Sequence, residues 1–233
     1  MTFKRRLKGV IVVIIIKKWL INSMDKELLN TLSAEVDSYD YKQLTIWTDN
    51  LGCSVDQFIA LQDQRFSKGT LAPYPWIKDG RIIQIDVRKM NITELDLSHC
   101  PEIETIFCGD NKLRELDLSR TPQLEYLNCD WSSLRKVDLT HVPNLTNFWC
   151  NNGQLTELDL SYSSKLNSLC CGHNSLNTLD LSACSNLEML YLRGNKFTSI
   201  DISCCPKLSF SMFEKHISVT KRSDQRLKEY NKV

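Results

Sequence analysis

The sequence predicts a repeat solenoid of short parallel strands, mainly strand and loop, with a small helical cap at its N-terminal end. The first observation is a series of aspartates spaced 21 residues apart without insertion or deletion: Asp96, Asp117, Asp138, Asp159, Asp180 and Asp201. Each aspartate also lies between apolar neighbours and before a hydroxyl residue, as in Leu95-Asp96-Leu97-Ser98. Finally, apolar and polar residues alternate in each half of the period, which predicts two short strands per coil. A fixed period of this length indicates stacked coils.

The repeats form an array of equal units. Counting back one period from Ile103 reaches Ile82, so we expect the array to begin at residue 82. Six full repeats then follow, at 82–102, 103–123, 124–144, 145–165, 166–186 and 187–207, and a partial seventh extends to residue 213. One coil cannot bury its own apolar face, so the array is expected to be stabilised by the stacking of neighbouring coils.

Each unit reads L-x-x-L-x-C-x-x-N-x-L-x-x-L-D-L-S-x-x-P-x. In three units an asparagine occupies the turn after the first strand, where its amide can satisfy backbone groups of adjacent coils: Asn111, Asn174 and Asn195. We call this column the asparagine ladder. Ser132 and Gly153 stand at the same position in two other units, so the ladder is expected to be interrupted there.

This unit resembles that of bacterial leucine-rich-repeat proteins of the short 21-residue class, L-x-x-L-x-C/L-x-x-N-x-L-x-x-L-D-L-S. It resembles the internalins more distantly, because their unit is one residue longer and lacks the aspartate. The resemblance covers residues 82–213, a little over half of the chain. It implies an arc or horseshoe of parallel strands and a general role in protein–protein interaction.

Residues 24–81 are predicted to form a helical cap and a linker before the array. Apolar stripes at helical spacing begin at Leu28 and Leu44, and Ser54 with Gln57 forms a capping box before a further stripe. We expect these helices to cover the first coil, because an open solenoid end exposes apolar surface and a strand edge.

The segments directly before and after the array are also predicted to have defined structures. Asp79-Gly80 predicts a turn before the first strand of the array. Residues 214–233 are polar and basic, and we expect them to form a C-terminal cap followed by a frayed helical tail.

The first 23 residues combine six basic side chains with the apolar run from Gly9 to Ile16. That run is too short for a bilayer core of about 30 Å, and Lys17 follows it where a signal-peptide cleavage site needs small residues. Three interpretations stay open: a true start at Met24, an export or anchoring segment, or an ordered extension. Membrane association is expected only through residues 1–23. Without the six basic residues the formal charge of the chain is 1 − 6 = −5, and a net negative charge disfavours binding to the phosphate backbone of a nucleic acid.

The ten cysteines are predicted to be mainly core thiols. Four hold the same inward position in consecutive repeats, and Leu192 replaces cysteine in the next: Cys108, Cys129, Cys150 and Cys171. A position that accepts cysteine or leucine is typical of a buried apolar side chain, and no C-x-x-C pair supports zinc. A disulfide between Cys184 and Cys205, one period apart, is the alternative for an exported protein. Largely unpaired cysteines favour a cytoplasmic location, with secretion or surface display as the alternative.

The outward positions of the first strand form the candidate binding site. One column contains Asp86, Phe107, Asn128, Trp149, Cys170 and Tyr191. We interpret nine outward residues as partner-binding: Phe107, Tyr126, Asn128, Trp131, Trp149, Asn152, His173, Tyr191 and Arg193. Exposed aromatics at every second coil, about 10 Å apart, are typical of interface anchors. The alternative is that these rings only stabilise the sheet by cross-strand contact.

The aspartate column also has two interpretations. Its carboxylates could bind calcium, but one carboxylate per turn fits better with hydrogen bonds to neighbouring backbone or to the following hydroxyl. No motif predicts catalysis, since the four histidines are scattered and neither G-x-S-x-G, a phosphate-binding glycine loop nor H-E-x-x-H is present. The sequence therefore predicts a non-catalytic module, without metal or cofactor, that binds another protein. An exported internalin-like adhesin or effector is the alternative, and enzyme activity in residues 1–81 is a third interpretation.

Overall fold

The computed structural model describes residues 38–68, 77–224 and 228–229. These residues fall into two compact units, of which the first ends at Ile83 and the second begins at Gln84. The predictions for residues 1–23, for the apolar stripe that begins at Leu28 and for most of the linker lie outside the described residues. Within the described ranges, no helix combines the length and the apolar character that a membrane span requires.

The first unit contains two helices, α1 (Ser38–Leu51) and α2 (Val55–Lys68). The apolar stripe that begins at Leu44 predicts α1, and it is confirmed. Leu44 is fully buried, and the ring of Trp47 packs against Phe58 of α2 with 5.7 Å between the ring centroids.

The capping box at the start of α2 is confirmed. The backbone N–H of Gln57 donates to the Ser54 hydroxyl at 3.2 Å, and the Ser54 N–H donates to the Gln57 side-chain oxygen at 3.0 Å. Gly52, with a φ of 64°, ends α1 in the left-handed conformation that often closes a helix. The two helices are therefore joined by a short link with local hydrogen bonds at both sides.

The predicted turn at Asp79-Gly80 closes a hairpin between β1 (Ile77–Lys78) and β2 (Arg81–Ile82). Both turn residues have positive φ, 51° and 78°, as a two-residue type I′ turn requires. The fully buried carboxylate of Asp40 in α1 fixes this hairpin. It accepts the N–H of Ile82 at 2.6 Å and pairs with the guanidinium of Arg81 at 3.0 Å.

The second unit is built on a parallel sheet to which each successive coil adds one short strand. Its strands are β3 (Gln84–Asp86), β4 (Thr105–Phe107), β5 (Tyr126–Asn128), β6 (Asn147–Trp149), β7 (Ser168–Cys170), β8 (Met189–Tyr191), β10 (Phe210–Met212) and β12 (Lys228–Glu229). They lie in the order β3, β4, β5, β6, β7, β8, β10, β12. From β3 to β10 every paired residue is 21 positions from its partner, as Ile106 is from Leu127. The predicted phase of the repeat is confirmed.

The core of this unit consists of inward columns that run through the stacked coils. The middle residues of the strands are fully buried: Ile85, Ile106, Leu127, Phe148, Leu169 and Leu190. The four predicted inward cysteines are also fully buried, and Leu192 continues their column. The interpretation of these cysteines as small apolar core residues is confirmed.

The prediction of two strands per coil is wrong for most of the array. Leu116 and Leu118 alternate with exposed Asp117 as predicted, yet this half forms a strand ladder only where β9 (Ser199–Asp201) pairs with β11 (Ser218–Thr220). The bond from the N–H of Ser119 to the carboxylate of Asp117, at 2.9 Å, does not explain the difference, because Ser203 makes the same bond to Asp201 beside β9.

The predicted helical tail is also wrong within the described residues. β11 and β12 instead continue the array beyond residue 213, pairing with β9 and β10. The offsets are shorter than in the other coils: Ser218 pairs with Ser199, a separation of 218 − 199 = 19, and Lys228 pairs with Phe210, a separation of 228 − 210 = 18. Because of these shorter offsets, a search of the sequence for a constant 21-residue period does not detect the last coil.

The asparagine ladder is confirmed as a set of bonds between adjacent coils. Asn174 donates to the carbonyl of Cys150 in the preceding coil at 2.7 Å and accepts the N–H of Leu155 at 2.9 Å. Asn111 and Asn195 make the corresponding bonds. At the first interruption, the hydroxyl of buried Ser132 has no hydrogen-bond partner in the described part of the chain.

Replacing Asn174 by alanine is expected to lower the free energy of unfolding by about 3 kcal/mol, because it leaves buried backbone groups of two coils without partners. Urea denaturation followed by circular dichroism measures this loss. The matched control is Asn177→Ala, at an exposed position three residues later, which we expect to change stability by less than about 0.5 kcal/mol. Equal losses for the two variants would contradict a ladder role for Asn174.

Restoring the ladder with Ser132→Asn is expected to raise the free energy of unfolding by about 1 kcal/mol, the net value of a typical hydrogen bond. Gly153→Asn provides the contrast, because a Cβ at Gly153 would lie 2.8 Å from the Oδ1 of Asn174. We therefore expect no gain from that substitution in the same denaturation experiment. A stabilising Gly153→Asn, or a destabilising Ser132→Asn, would show that the column does not work as described.

Candidate functional site

The outward face of the parallel sheet carries two columns of side chains, which we call the sheet face. The column at the third strand position is in register as predicted and contains Asp86, Phe107, Asn128, Trp149, Cys170, Tyr191 and Met212. The column at the first strand position contains Gln84, Thr105, Tyr126, Asn147, Ser168, Met189 and Phe210. Four of the nine predicted site residues therefore share one column, and Tyr126 belongs to the other.

Beside the sheet face, one residue of each successive coil has a left-handed backbone. This left-handed row has φ values between 54° and 82° and contains Lys89, Asp110, Trp131, Asn152, His173 and Gly194. It holds three of the predicted site residues, while Arg193 precedes its last member. Trp131 is unusual in the row, because bulky residues rarely adopt a positive φ. Its side chain is 60% exposed.

The aromatic rings of the sheet face pack against one another, so the prediction that Phe107 is exposed is wrong. Only 7% of Phe107 is accessible, since Tyr126 lies 5.1 Å away between centroids and the guanidinium carbon of Arg88 lies 4.9 Å above the ring. Tyr126 in turn contacts Trp149 at 5.6 Å. We call Phe107, Tyr126 and Trp149 the aromatic stack. Its diagonal contacts stabilise adjacent strands, while Trp149 keeps part of its surface exposed.

Tyr191 and His173 form a second pair at the other end of the face. Their ring centroids are 6.5 Å apart, and the Tyr191 hydroxyl lies 3.5 Å from the Nε2 of His173. The Tyr191 ring lies across Gly172 and the His173 ring across Gly194, so a Cβ at either glycine would collide with a ring. Both glycines are needed for this arrangement.

A polar network around Asp130 joins Asn128 of the sheet face to Asn151 of the next coil and was not predicted from the sequence. The Asp130 carboxylate accepts the backbone N–H of Asn151 at 2.6 Å and its side-chain amide at 3.0 Å. The side chain of Asn128 accepts the N–H of Asp130 at 3.1 Å. Burial raises the pKa of Asp130, the bonds from Asn151 oppose that effect, and the charge of Asp110 adds to it. Asp130 is therefore a partly desolvated carboxylate with neutral donors.

No disulfide joins any of the ten cysteines, all of which lie in the described ranges. Cys184 and Cys205, the pair for which a bridge was considered, are both buried as thiols. Burial raises the pKa of Cys184 to about 11. Cys170, on the sheet face, is partly exposed, and burial raises the pKa of its thiol to about 11 as well.

In the aspartate column, the predicted hydrogen bonds to neighbouring backbone are confirmed. All six carboxylates accept the N–H of the hydroxyl residue two positions later, at 2.8 to 2.9 Å. These hydrogen bonds lower the pKa of the exposed Asp138, Asp159 and Asp180. The same three residues line a groove of about 540 Å³, next to Tyr162. That groove lies on the second half of the coils, away from the residues of the sheet face.

Comparison with known proteins identifies the repeat. A family model described as Leucine Rich Repeat matches residues 186–208. None of the curated proteins compared matches the chain.

Three solved structures are similar to part of the chain. The functional domain of InlJ from Listeria monocytogenes, described as including a cysteine ladder, is 26% identical over 62% of this chain and 37% of that chain, with a TM-score of 0.48. A chain of the LRIM1/APL1C complex is 18% identical over 63% of this chain and 30% of its own, with a TM-score of 0.55. A Leptospira interrogans LRR protein is 14% identical over 64% of this chain and 45% of its own length, with a TM-score of 0.54. The chain spans less than half the length of each.

The raised pKa of Cys170 predicts slow alkylation. Because the thiolate is the nucleophile, iodoacetamide at pH 8 is expected to modify Cys170 roughly a hundredfold more slowly than a free cysteine. The rate should rise about tenfold per pH unit until the pH nears the pKa of about 11. Peptide mass spectrometry of timed samples measures the modified fraction. Fully buried Cys108 is the internal control for unfolding, and a Cys170 rate that levels off near pH 9 would refute the shift.

Proposed function

We propose that this leucine-rich-repeat chain is a non-catalytic module that binds another protein through the sheet face and the left-handed row. The observation that carries the proposal is the exposure of Trp131, at 60%, on a surface that already contains partly exposed Trp149 and Tyr191. Tryptophan and tyrosine are enriched among the residues that dominate interface energies. A solenoid also presents an extended surface that suits a macromolecular ligand.

The surface is fixed before a partner arrives, which supports this role. Strand register sets the spacing of the columns, and two bonds from Asn151 fix the carboxylate of Asp130, the residue directly before Trp131. The rings of Tyr191 and His173 rest in the space left by two glycines. Preorganised side chains lose little conformational entropy on binding, which favours affinity.

The nine candidate residues divide into two groups by their proposed role. Trp131, His173 and Arg193 are exposed, and Asn152 and Tyr191 are partly exposed. These residues are proposed to meet the partner directly. Phe107 is buried, so its proposed part is to support Tyr126, while Asn128 supports Asp130. Trp149 contributes both an exposed edge and a ring that packs in the aromatic stack.

The proposal is tested by capture from the native cell with the immobilised full chain and quantitative mass spectrometry. The double variant Trp131→Ala, Tyr191→Ala is expected to reduce the captured partner at least about tenfold, because each removed ring can contribute 2 kcal/mol or more. Its free energy of unfolding should stay within about 2 kcal/mol of the parent chain, since surface changes have modest effects.

The matched control is Tyr162→Ala, which removes a 55% exposed ring from the other half of the coils. We expect this variant to capture the same partner at the parent level. If Tyr162→Ala abolishes capture and the double variant does not, the binding surface lies at the groove and the proposal is wrong.

A further inference from the structure

We infer that the partner presents a basic side chain, preferably arginine, to a patch formed by Trp131 with Asp110 and Asp130. We call these three residues the indole–carboxylate patch. The inference rests on the proposed function, because it specifies the chemistry of the protein that the sheet face and left-handed row would bind.

The repeat places an indole beside a carboxylate. Asp110 and Trp131 occupy the same position of the left-handed row in successive coils, each with a φ of 56°. The coils are joined at this point by the bond from the N–H of Asp110 to the carbonyl of Asp130, at 2.8 Å. Equivalent backbone positions in adjacent strands are about 4.8 Å apart, and the same backbone conformation directs both side chains outward in parallel. Both side chains are exposed.

The carboxylate of Asp130 is held by neutral groups. Asp130 directly precedes Trp131 and, among the residues that the structure describes, accepts hydrogen bonds only from the neutral amides of Asn151 and Asn128. No ion pair within the described ranges joins Asp110 or Asp130 to a cation. The charge of Asp110 also acts against ionisation of Asp130. An incoming cation would therefore interact favourably with both carboxylates.

Two cations of the described residues lie near this patch. Arg88 is held by Asp86, through bonds of 3.0 and 2.6 Å, and lies over the ring of Phe107, while its charge also interacts with that of Asp110. Lys89 stands one coil before Asp110 in the left-handed row, so it screens one side of the patch. On the other side the row continues with neutral Asn152, and a cation can approach from there.

Arginine matches this combination of groups better than other side chains. Its planar guanidinium stacks on an aromatic face and donates to carboxylates in the same plane, and tryptophan is the most favourable ring for a cation. An acidic segment would meet two carboxylates and be repelled. A glycan could stack on the indole, but it would gain nothing from the charges of Asp110 and Asp130.

The test selects phage-displayed random dodecapeptides on the immobilised full chain. Selected peptides are expected to be enriched in arginine and lysine and depleted in aspartate and glutamate. A resynthesised peptide should bind Asp110→Asn and Trp131→Asn at least about tenfold more weakly than the parent chain. Asparagine tolerates a positive φ, so both variants should fold, and circular dichroism verifies this. Lys89→Gln should bind about two- to threefold more tightly, because it removes a competing charge.

Two controls isolate the effect of charge and ring. Replacing arginine by neutral citrulline in the peptide should abolish its binding, whereas Tyr162→Ala and Glu115→Gln of the protein should leave the affinity unchanged. Neutral or acidic selected peptides, no selected peptides, or basic peptides insensitive to Asp110→Asn and Trp131→Asn would overturn the inference, as would a Trp131-dependent partner that proves to be a glycan. If binding depends on Trp149 and Tyr191 alone, this inference fails while the proposed function stands. If no variant of the two outward surfaces affects partner capture, both fail.

Discussion

Equal coil length is the constraint on which the rest of this structure depends. Paired residues stay 21 positions apart from β3 to β10, so each side chain stacks on its equivalent in the next coil. A change of one residue would exchange the inward and outward sides of a strand. The cysteine and leucine columns are buried together for this reason, and the columns of the sheet face lie together on the other side of the strands. The same regularity brings Asp110 next to Trp131.

The period, the inward columns and the helix caps could be predicted because each rests on a repeated or local pattern. The second strand could not, since the alternation of Leu116 and Leu118 is the same with and without hydrogen bonds to a neighbouring strand. The bond between Asp117 and Ser119 does not decide the outcome, because Asp201 makes the same bond to Ser203 in the coil that contains β9. The C-terminal strands were missed because an offset of 19 residues between β9 and β11 breaks the period.

The columns of the candidate site could be predicted from the alternation of residues along each strand, but the exposure of the individual side chains could not. Phe107 is buried by Arg88 and Tyr126, which come from the coils on either side, and no single unit contains that information. The left-handed row could not be predicted either, because closure of the coil imposes a positive φ on residues as different as lysine and tryptophan. The polar network of Asp130 was not predicted because its hydrogen-bond donor Asn151 lies 21 residues later in the chain.

The asparagine ladder points backward along the chain. Asn111, Asn174 and Asn195 each donate to a carbonyl 24 residues earlier, so every such amide secures a turn that the ribosome has already made. Each of these bonds therefore needs only residues that precede its asparagine in the chain. Ser132 and Gly153 make no such bond, so two successive coils in the middle of the array are joined without one.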